Sequence, residues 1–273
     1  MAKPTIVTMT DFGLQDIYVG VMKGVIKRIC SDVEIIDLTH EIPPQNVAAG
    51  AWALKNSVSF FEKGTIFLSI VDPDVGSNRF PLAVQAGDYT FVSPDNGLLT
   101  HVLRDFPLKQ AVSIENRQYA LEKISATFQG RDIFSPAAAH LANGVALEAL
   151  GSPISNLATL DVPEVTTTSN SMSGAIVHID HFGNVITNLG AFGWVGMHEL
   201  ETSHIPHLLN APKLTVMVGT HHINGIVRAY YEVPEGHLLA QIDSTGVLEV
   251  AIYRGNAAQH IGAMVGDVVT IMW

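Results

Sequence analysis

Charged residues and cysteine are both scarce in this chain of 273 residues. Only 15% of the residues are charged, and Asp and Glu outnumber Lys and Arg by 26 to 15, for a net charge of −11. No run of Lys or Arg supplies the basic stripe that nucleic acids bind, so we exclude a nucleic-acid-binding function. The single cysteine, Cys30, excludes an intramolecular disulfide and is typical of a reducing compartment.

Long apolar runs are absent as well. Although 47% of the residues are hydrophobic, no stretch has the eighteen uninterrupted apolar residues of a membrane-spanning helix. The first residues lead into a short strand-like run and not into the apolar core of a signal peptide. We therefore expect a soluble, cytoplasmic protein without membrane contact. Its apolar content suffices for one large domain or two unequal ones.

Metal-binding spacings are missing too. The twelve histidines form no His-Glu-x-x-His motif and no Cys/His cluster. His221 and His222 are adjacent, in a segment that we predict to be a loop. We therefore expect no catalytic metal.

The order of strand-like and helix-like segments predicts two domains. Apolar runs alternate with helical spacing at 18–29 and 47–56, which indicates β-α-β units on a mainly parallel sheet. The later part of the chain has many strand-like runs and few helical ones, as in a small β-barrel or sandwich. We predict an N-terminal α/β domain at 1–160, a linker at 161–173 and a C-terminal β-barrel-like domain at 174–273. The predicted strands are 5–10, 33–38, 65–70, 89–93, 174–179, 213–218, 237–242, 247–252 and 267–271.

Three predicted strands end in residues capable of chemistry. Asp11, His40 and Asp72 each follow such a strand closely. Open α/β sheets bind ligands at the carboxyl ends of their strands, so we expect all three at one edge. Gly76 permits a tight loop that would bring Arg79 back toward Asp72. The alternative for this loop is a turn closed by a surface ion pair, worth about 0–1 kcal/mol.

Other polar residues precede predicted helices. Asp16 stands where an N-cap is expected, and a cap worth about 1 kcal/mol is as good an interpretation as ligand contact. Arg131 and Asp132 carry opposite charges before a later helix, and we interpret them as a structural pair. Gln129, in the same loop, is a neutral amide that offers both a donor and an acceptor.

Two turns of the second domain combine polar and aromatic side chains. The segment 180–188 places a carboxylate, two aromatic rings and two amides around Gly183, and the turn at 243–246 leads into Glu249. Both are also ordinary hairpin turns, and the residues alone leave the two interpretations open.

Taken in order, six motifs resemble one family. They are 10–13 with Asp16, 71–79, 94–99, 127–136, 179–184 and 255–258. The series resembles the S-adenosylmethionine (SAM) hydroxide adenosyltransferases, or adenosine-forming SAM hydrolases, which are related to SAM-dependent fluorinases and chlorinases. The resemblance implies an α/β domain, a β-barrel, and a homotrimer with SAM bound between the first domain of one subunit and the second domain of its neighbour. It also implies attack of water or hydroxide on the ribose 5′-carbon, giving adenosine and L-methionine without a separate cofactor.

The resemblance further implies roles for individual residues. Asp11 matches a carboxylate that grips the ribose diol, and Asn184 matches an amide that reads the adenine edge. Asp16 and Asp180 match acids near the methionine ammonium. The remaining implied substrate-binding residues are Ser244 and Glu249 at the methionine end, His40 near the nucleoside, and Phe128 and Phe182.

In this family an Asp, an Arg and a His hold the attacking water. Asp72 and Arg79 match the first two, but Gln129 stands where the family has histidine. An amide orients water without taking its proton, so we predict that Asp72 and Arg79 carry the chemistry while Gln129 positions the nucleophile.

Two alternative functions follow from these residues. One is a SAM- or nucleoside-binding protein with little turnover, because Gln129 replaces the histidine. The other is a SAM-dependent halogenase, which an ionised Asp72 disfavours by about 4 kcal/mol at an effective dielectric constant near 20.

Overall fold

The computed structural model describes residues 3–273, and the chain divides into two compact units, with the boundary in the sequence after Leu160. The described part of the first unit has six strands and four α-helices. The strands are β1 Thr5–Thr10, β2 Glu34–Thr39, β3 Ile66–Ile70, β4 Pro81–Ala86, β5 Tyr89–Pro94 and β6 Leu108–Ser113. The helices are α1 Tyr18–Ile29, α2 Val47–Val58, α3 Val102–Asp105 and α4 Ser135–Ala142.

The sheet of this unit is mixed. Its strand order is β2-β1-β3-β5-β4-β6, with parallel pairing as far as β5 and antiparallel pairing of β4 with both β5 and β6. The prediction of a mainly parallel sheet is therefore correct only in part. Only two residues join β4 to β5, and so short a connection permits an antiparallel hairpin and no crossover helix.

Alternate residues of the central strands serve two separate cores. Ile6 of β1 and Leu68 of β3 pack in a cluster that includes residues of α1 and α4. Val7 follows Ile6 in β1, and Phe67 precedes Leu68 in β3. These two residues pack in a second cluster, which includes residues of α2. Successive strand residues point to opposite faces, so these nearly continuous apolar runs are covered on both sides.

The second unit is built almost entirely of antiparallel strands. They are β7 Thr166–Thr167, β8 Ser171–Ile179, β9 Val185–Thr187, β10 Phe192–Val195, β11 Glu199–Thr202, β12 Ile205–Asn210, β13 Thr215–Val218, β14 His221–Asn224, β15 Leu238–Ile242, β16 Leu248–Ile252 and β17 Val268–Met272. The order β14-β13-β17-β8-β9-β16-β15 forms a nearly closed sheet, with β7 on β8, while β10, β11 and β12 form a small separate sheet. The only α-helix in the described part of this unit is α5, Ala257–Ile261.

The barrel-like second domain agrees with the expected architecture, but one local prediction is wrong. His221 and His222 lie in β14, because a two-residue turn joins β13 to β14 as a hairpin. The segment predicted as a linker, 161–173, already contains β7 and the first residues of β8. Within residues 3–273, none of the helices combines the length and apolar character needed to cross a bilayer.

Candidate active site

The strand order brings the first three strand ends together. β1 lies between β2 and β3, parallel to both, so the residues that follow these strands share one edge of the sheet. The expected common edge for Asp11, His40 and Asp72 is therefore confirmed. The three residues nevertheless have very different surroundings.

Asp72 and Arg79 form a buried ion pair. Arg79 Nε donates to Asp72 Oδ1 at 2.9 Å, and Nη2 donates to Oδ2. The side chains are only 4% and 7% exposed, respectively, so the surface-ion-pair interpretation is wrong. Gly76 allows the loop to fold back, because its φ is 82° and a Cβ there would lie 2.6 Å from the carbonyl oxygen of Ala126.

Gln129 completes a three-residue cluster with this pair. Arg79 Nη2 donates to Gln129 Oε1 at 2.6 Å, which leaves the Gln129 Nε2 group as a donor. Gln129 precedes a single wide π-helical turn, Gly130–Phe134, which runs directly into α4. Such turns are frequent at functional sites. The cluster thus combines a carboxylate acceptor with guanidinium and amide donors, a set suited to holding an oxygen nucleophile.

Arg131 and Asp132 are a structural pair, as predicted. Arg131 donates from Nε and Nη2 to the two carboxylate oxygens at 2.6 and 2.9 Å, and the Ser125 N–H donates to Oδ2 at 2.8 Å. Burial acts to raise the pKa of Asp132, but these hydrogen bonds outweigh it and lower the pKa below its usual value. The pair fixes the loop that carries Gln129.

Phe128 belongs to an aromatic cluster beside that loop. Its ring meets the rings of Tyr18 and Phe12 edge-on, with centroids 5.2 and 6.2 Å away, and the Arg131 guanidinium lies 5.0 Å from its centroid. Phe12 and Phe128 pack against the core below α1 and α4. The cluster offers an apolar wall beside the polar edge.

The two acidic residues near α1 are differently placed. Asp11 is partly buried, and its Oδ2 accepts from the Gln45 N–H at 2.7 Å. Asp16 is exposed, and α1 has Ile17 at its N-cap position without any side-chain cap. The capping interpretation of Asp16 is therefore wrong, because the helix begins one residue later than a cap at Asp16 requires. Its carboxylate is open to solvent or to a ligand.

His40 lies beneath the edge and is engaged by the protein. It is 3% exposed, with Nδ1 2.8 Å from Thr10 Oγ1 and Nε2 3.1 Å from Asp37 Oδ1. Burial acts to raise the pKa of Asp37, but hydrogen bonds from Lys23, His40 and Thr8 lower it to about 2. This geometry favours a structural role for His40 at the ends of β1 and β2.

Two cavities of the second unit share Tyr230. The larger, about 580 Å³, has aromatic walls and one buried amide. It is lined by Phe182, Asn184, Tyr230, Ile252, Tyr253, Arg254 and Gly255. The other, about 440 Å³, is more polar. It is lined by Asp180, Ile186, Arg228, Ala229, Tyr230, Gln241, Ile242, Asp243, Ser244 and Glu249.

Glu249 is a buried acid in the polar cavity. It is 4% exposed, and its Oε1 accepts hydrogen bonds from Tyr230 Oη and from Gln241 Nε2, both at 2.8 Å. Burial raises the pKa of Glu249, although both hydrogen bonds act to lower it. Burial and the neighbouring Glu249 also raise the pKa of Tyr230. Ser244 lies at the exposed end of the same cavity.

Comparison with known proteins decides the family. Models of the SAM hydroxide adenosyltransferase N-terminal and C-terminal domains match residues 6–151 and 174–270. The chain belongs to the SAM hydroxide adenosyltransferase family. The resemblance inferred from the six motifs is therefore confirmed.

Several known proteins match nearly the whole chain. A (R)-S-adenosyl-L-methionine hydrolase of Salinispora tropica is 36% identical over 267 residues, which cover 97% of this chain and 96% of that one. A hydrolase of the same name from Thermus thermophilus is 34% identical, over 97% of this chain and 98% of that one. The crystal structure of an uncharacterized conserved protein from Thermotoga maritima has a TM-score of 0.87 at 34% identity, over 98% of this chain and 100% of that one.

The cavity residues that were not identified from the sequence include Tyr230, Gln241 and Arg254. Tyr230 contacts Glu249 from 19 residues away, and no local pattern connects the two. Gln241 lies directly opposite Glu249 in the hairpin of β15 and β16, so the predicted strands 237–242 and 247–252 were a signal for it. Arg254 directly precedes the family motif at 255–258, so that motif was a signal for it.

Proposed function

We propose that this member of the family hydrolyses SAM. Water or hydroxide attacks the ribose 5′-carbon and displaces L-methionine, giving adenosine. The observation that carries the proposal is the buried contact of Asp72, Arg79 and Gln129 at the carboxyl edge of the sheet. The names of the matched hydrolases support the same reaction.

The difficult part of this reaction is the activation of the nucleophile, not the departure of the leaving group. The sulfonium of SAM leaves as a neutral thioether and needs no general acid. Water must lose a proton, and the proposal assigns Asp72 as its acceptor. The proposed donors to the water oxygen are the Gln129 amide and Arg79, which contacts both Asp72 and Gln129. General-base assistance of this kind contributes about 10²–10⁴-fold to a rate. The low exposure of the pair strengthens each of these interactions, because little water screens them.

The same cluster favours water over a halide. Arg79 neutralises much of the charge on Asp72, so repulsion alone excludes a halide less strongly than an unpaired carboxylate would. Hydrogen bonding decides between the two nucleophiles. The Asp72 carboxylate accepts a hydrogen bond from water, whereas a halide ion has no proton to donate. The halogenase alternative is therefore not favoured.

The substrate's remaining parts have candidate partners in both units. The proposal assigns the adenine to the larger cavity of the second unit, with Asn184 at its edge, and the ribose diol to Asp11. The methionine end is assigned to four residues: Asp16, Asp180, Ser244 and Glu249. The proposal includes a homotrimer in which residues of neighbouring subunits bind each SAM, acting in the cytoplasm without a metal or separate cofactor.

The test is incubation of the purified protein with SAM in halide-free buffer enriched in ¹⁸O-water. We expect adenosine carrying the label on its 5′-oxygen, together with methionine, and the same yield in the presence of a chelator. Tight binding of SAM without adenosine would instead support the sequestering alternative. Loss of activity on chelation would contradict the metal-free mechanism.

A further inference from the structure

One carboxylate organises the turn between β8 and β9. Asp180 Oδ1 accepts from the backbone N–H groups of Phe182 and Asn184 at 2.9 and 2.8 Å. Its other oxygen, Oδ2, accepts from Asn184 Nδ2 at 2.9 Å, and the Asp180 N–H donates to the Asn184 carbonyl at 3.0 Å. Asp180 thus holds both the backbone and the side-chain amide of Asn184.

The bond to Asp180 determines which way the Asn184 amide faces. Asn184 is 6% exposed. If the amide turned over, its Oδ1 would face Asp180 Oδ2 at hydrogen-bond distance, two acceptors with no proton between them. Nδ2 is therefore held at Asp180, and Oδ1 with the second Nδ2 proton is left for the cavity that Asn184 lines.

The turn also packs tightly against α5. The backbone of Asn184 therefore cannot shift to present its amide to the cavity in another direction. Gly183 has a φ of 83°, and a Cβ there would lie 2.1 Å from the Asn256 side chain. The Ala258 N–H donates to the Gly183 carbonyl at 2.9 Å, and Asn256 Oδ1 caps α5 by accepting from the Gln259 N–H at 2.7 Å. The direction of the amide is thus set by Asp180 and not by a flexible loop.

We propose that Asp180 is a positioning residue that makes this cavity selective for 6-aminopurines over 6-oxopurines. The inference rests on the proposed function, which assigns the adenine to this cavity. An asparagine amide pairs with the Watson–Crick edge of adenine by accepting from the N6 amino group at Oδ1 and donating from Nδ2 to N1. A 6-oxopurine presents the acceptor O6 opposite Oδ1 and the donor N1–H opposite Nδ2, so it is rejected. Asp180 excludes the reversed amide that would accept it.

Asp180→Asn should reverse the arrangement. The new amide oxygen can still accept from the N–H groups of Phe182 and Asn184, while its amino group replaces the carboxylate oxygen that faces Asn184. Asn184 then turns Oδ1 toward this donor and presents its amino group to the cavity. One well-formed bidentate pair discriminates between bases by about 1–3 kcal/mol, or roughly 5–150-fold. We expect the wild type to prefer adenosine by a factor in that range and D180N to prefer inosine.

The experiment measures adenosine and inosine binding to the full-length protein by calorimetry. Neither nucleoside has a methionine group, so any contact of Asp180 with the methionine end does not affect the ratio. Asp243→Asn is the matched control, since Asp243 Oδ1 also accepts from a turn, at Thr245 and Val247, without contacting Asn184. D243N should keep the wild-type ratio. Thermal unfolding of each variant identifies one that does not fold.

A second variant tests the inference if D180N does not fold. In Asp180→Ser the hydroxyl can still accept from the turn but does not fix the Asn184 amide, and the ratio should fall toward one. Wild-type binding without preference for adenosine, or folded D180N and D180S with the wild-type ratio, would overturn the inference. If the wild type forms no adenosine from SAM but D180N still reverses the nucleoside preference, the proposed function fails and the positioning role stands.

Discussion

Arg79 donates hydrogen bonds to both carboxylate oxygens of Asp72, and neither side chain is more than 7% exposed. Removing one member of a buried ion pair leaves an uncompensated charge and costs about 3–5 kcal/mol. The pair therefore affects stability as well as the reaction. Variants of either residue need a measurement of folding beside the measurement of rate.

Asp72→Asn should lower kcat for SAM hydrolysis by about 10²–10⁴-fold, the usual contribution of a general base. The amide keeps the shape of the side chain but cannot accept a proton from water. Steady-state kinetics test this, with thermal unfolding to identify the folded fraction. Asp74→Asn is the control in the same loop, because Asp74 is exposed, and its kcat should match the wild type. Full activity in folded D72N would contradict the role of Asp72.

Gln129→His should add a pH-dependent step to the activity. Glutamine does not titrate, whereas a histidine there would titrate and would stand beside Arg79, whose charge lowers the pKa of the ring. Protonated imidazole cannot accept from Arg79, so the activity of Q129H should rise as the pH increases through the pKa of the ring and the ring loses its proton. The measurement is kcat/KM against pH for the wild type, Q129H and Q129A.

Q129A is the control for this profile. It should lose activity without changing the shape of the wild-type profile, since neither side chain titrates. Parallel profiles for Q129H and the wild type would show that position 129 does not act on the nucleophile.

His40→Ala should destabilise the protein and leave adenosine binding within about twofold of the wild type. Both ring nitrogens lie beside protein groups, and removing the ring leaves Thr10 Oγ1 without that partner, at a cost of about 1–3 kcal/mol. Urea unfolding and calorimetry with adenosine separate the two effects. His204→Ala, at an exposed position, is the control for stability. Weaker adenosine binding by folded H40A would restore the ligand-contact hypothesis.

The sequence predicted elements whose signal is local. β1 and α1 have the predicted bounds, because an apolar run and a helical spacing define each of them. β4 and β6 were missed, and with them the antiparallel half of the sheet. The two-residue turn Gly87-Asp88 is a local hairpin signal for β4, whereas β6 pairs with β4 from further along the chain and has no such signal.

The candidate site divides in the same way. The Asp72–Arg79 pair could be predicted, because Arg79 comes only seven residues after Asp72 in the same loop. Gln129 joins that pair from 50 residues away, and only the family resemblance pointed to it. Its contact with Arg79 is a result of packing α4 against the sheet, which no local pattern expresses.

Glu249→Gln should change how stability depends on pH. Burial raises the pKa of Glu249 in the folded protein, so the folded state binds this proton more tightly than the unfolded chain does. The resulting stabilisation is complete below the unfolded value of 4.5 and is lost as the pH rises through the folded value. Glutamine keeps the oxygen that accepts from Tyr230 and Gln241 but has no such proton.

The difference in unfolding temperature, E249Q minus wild type, should therefore grow from about pH 4.5 upward and become constant above the folded pKa of Glu249. Calorimetric scans at half-unit pH steps measure it, and subtracting the two curves removes the titration of all other groups. Glu201→Gln, at an exposed position, should give a difference near zero throughout. A constant difference would mean that Glu249 titrates alike in the folded and unfolded states, and a difference that shrinks with rising pH would mean that its pKa is lowered in the folded state. Either result would contradict a pKa raised by burial.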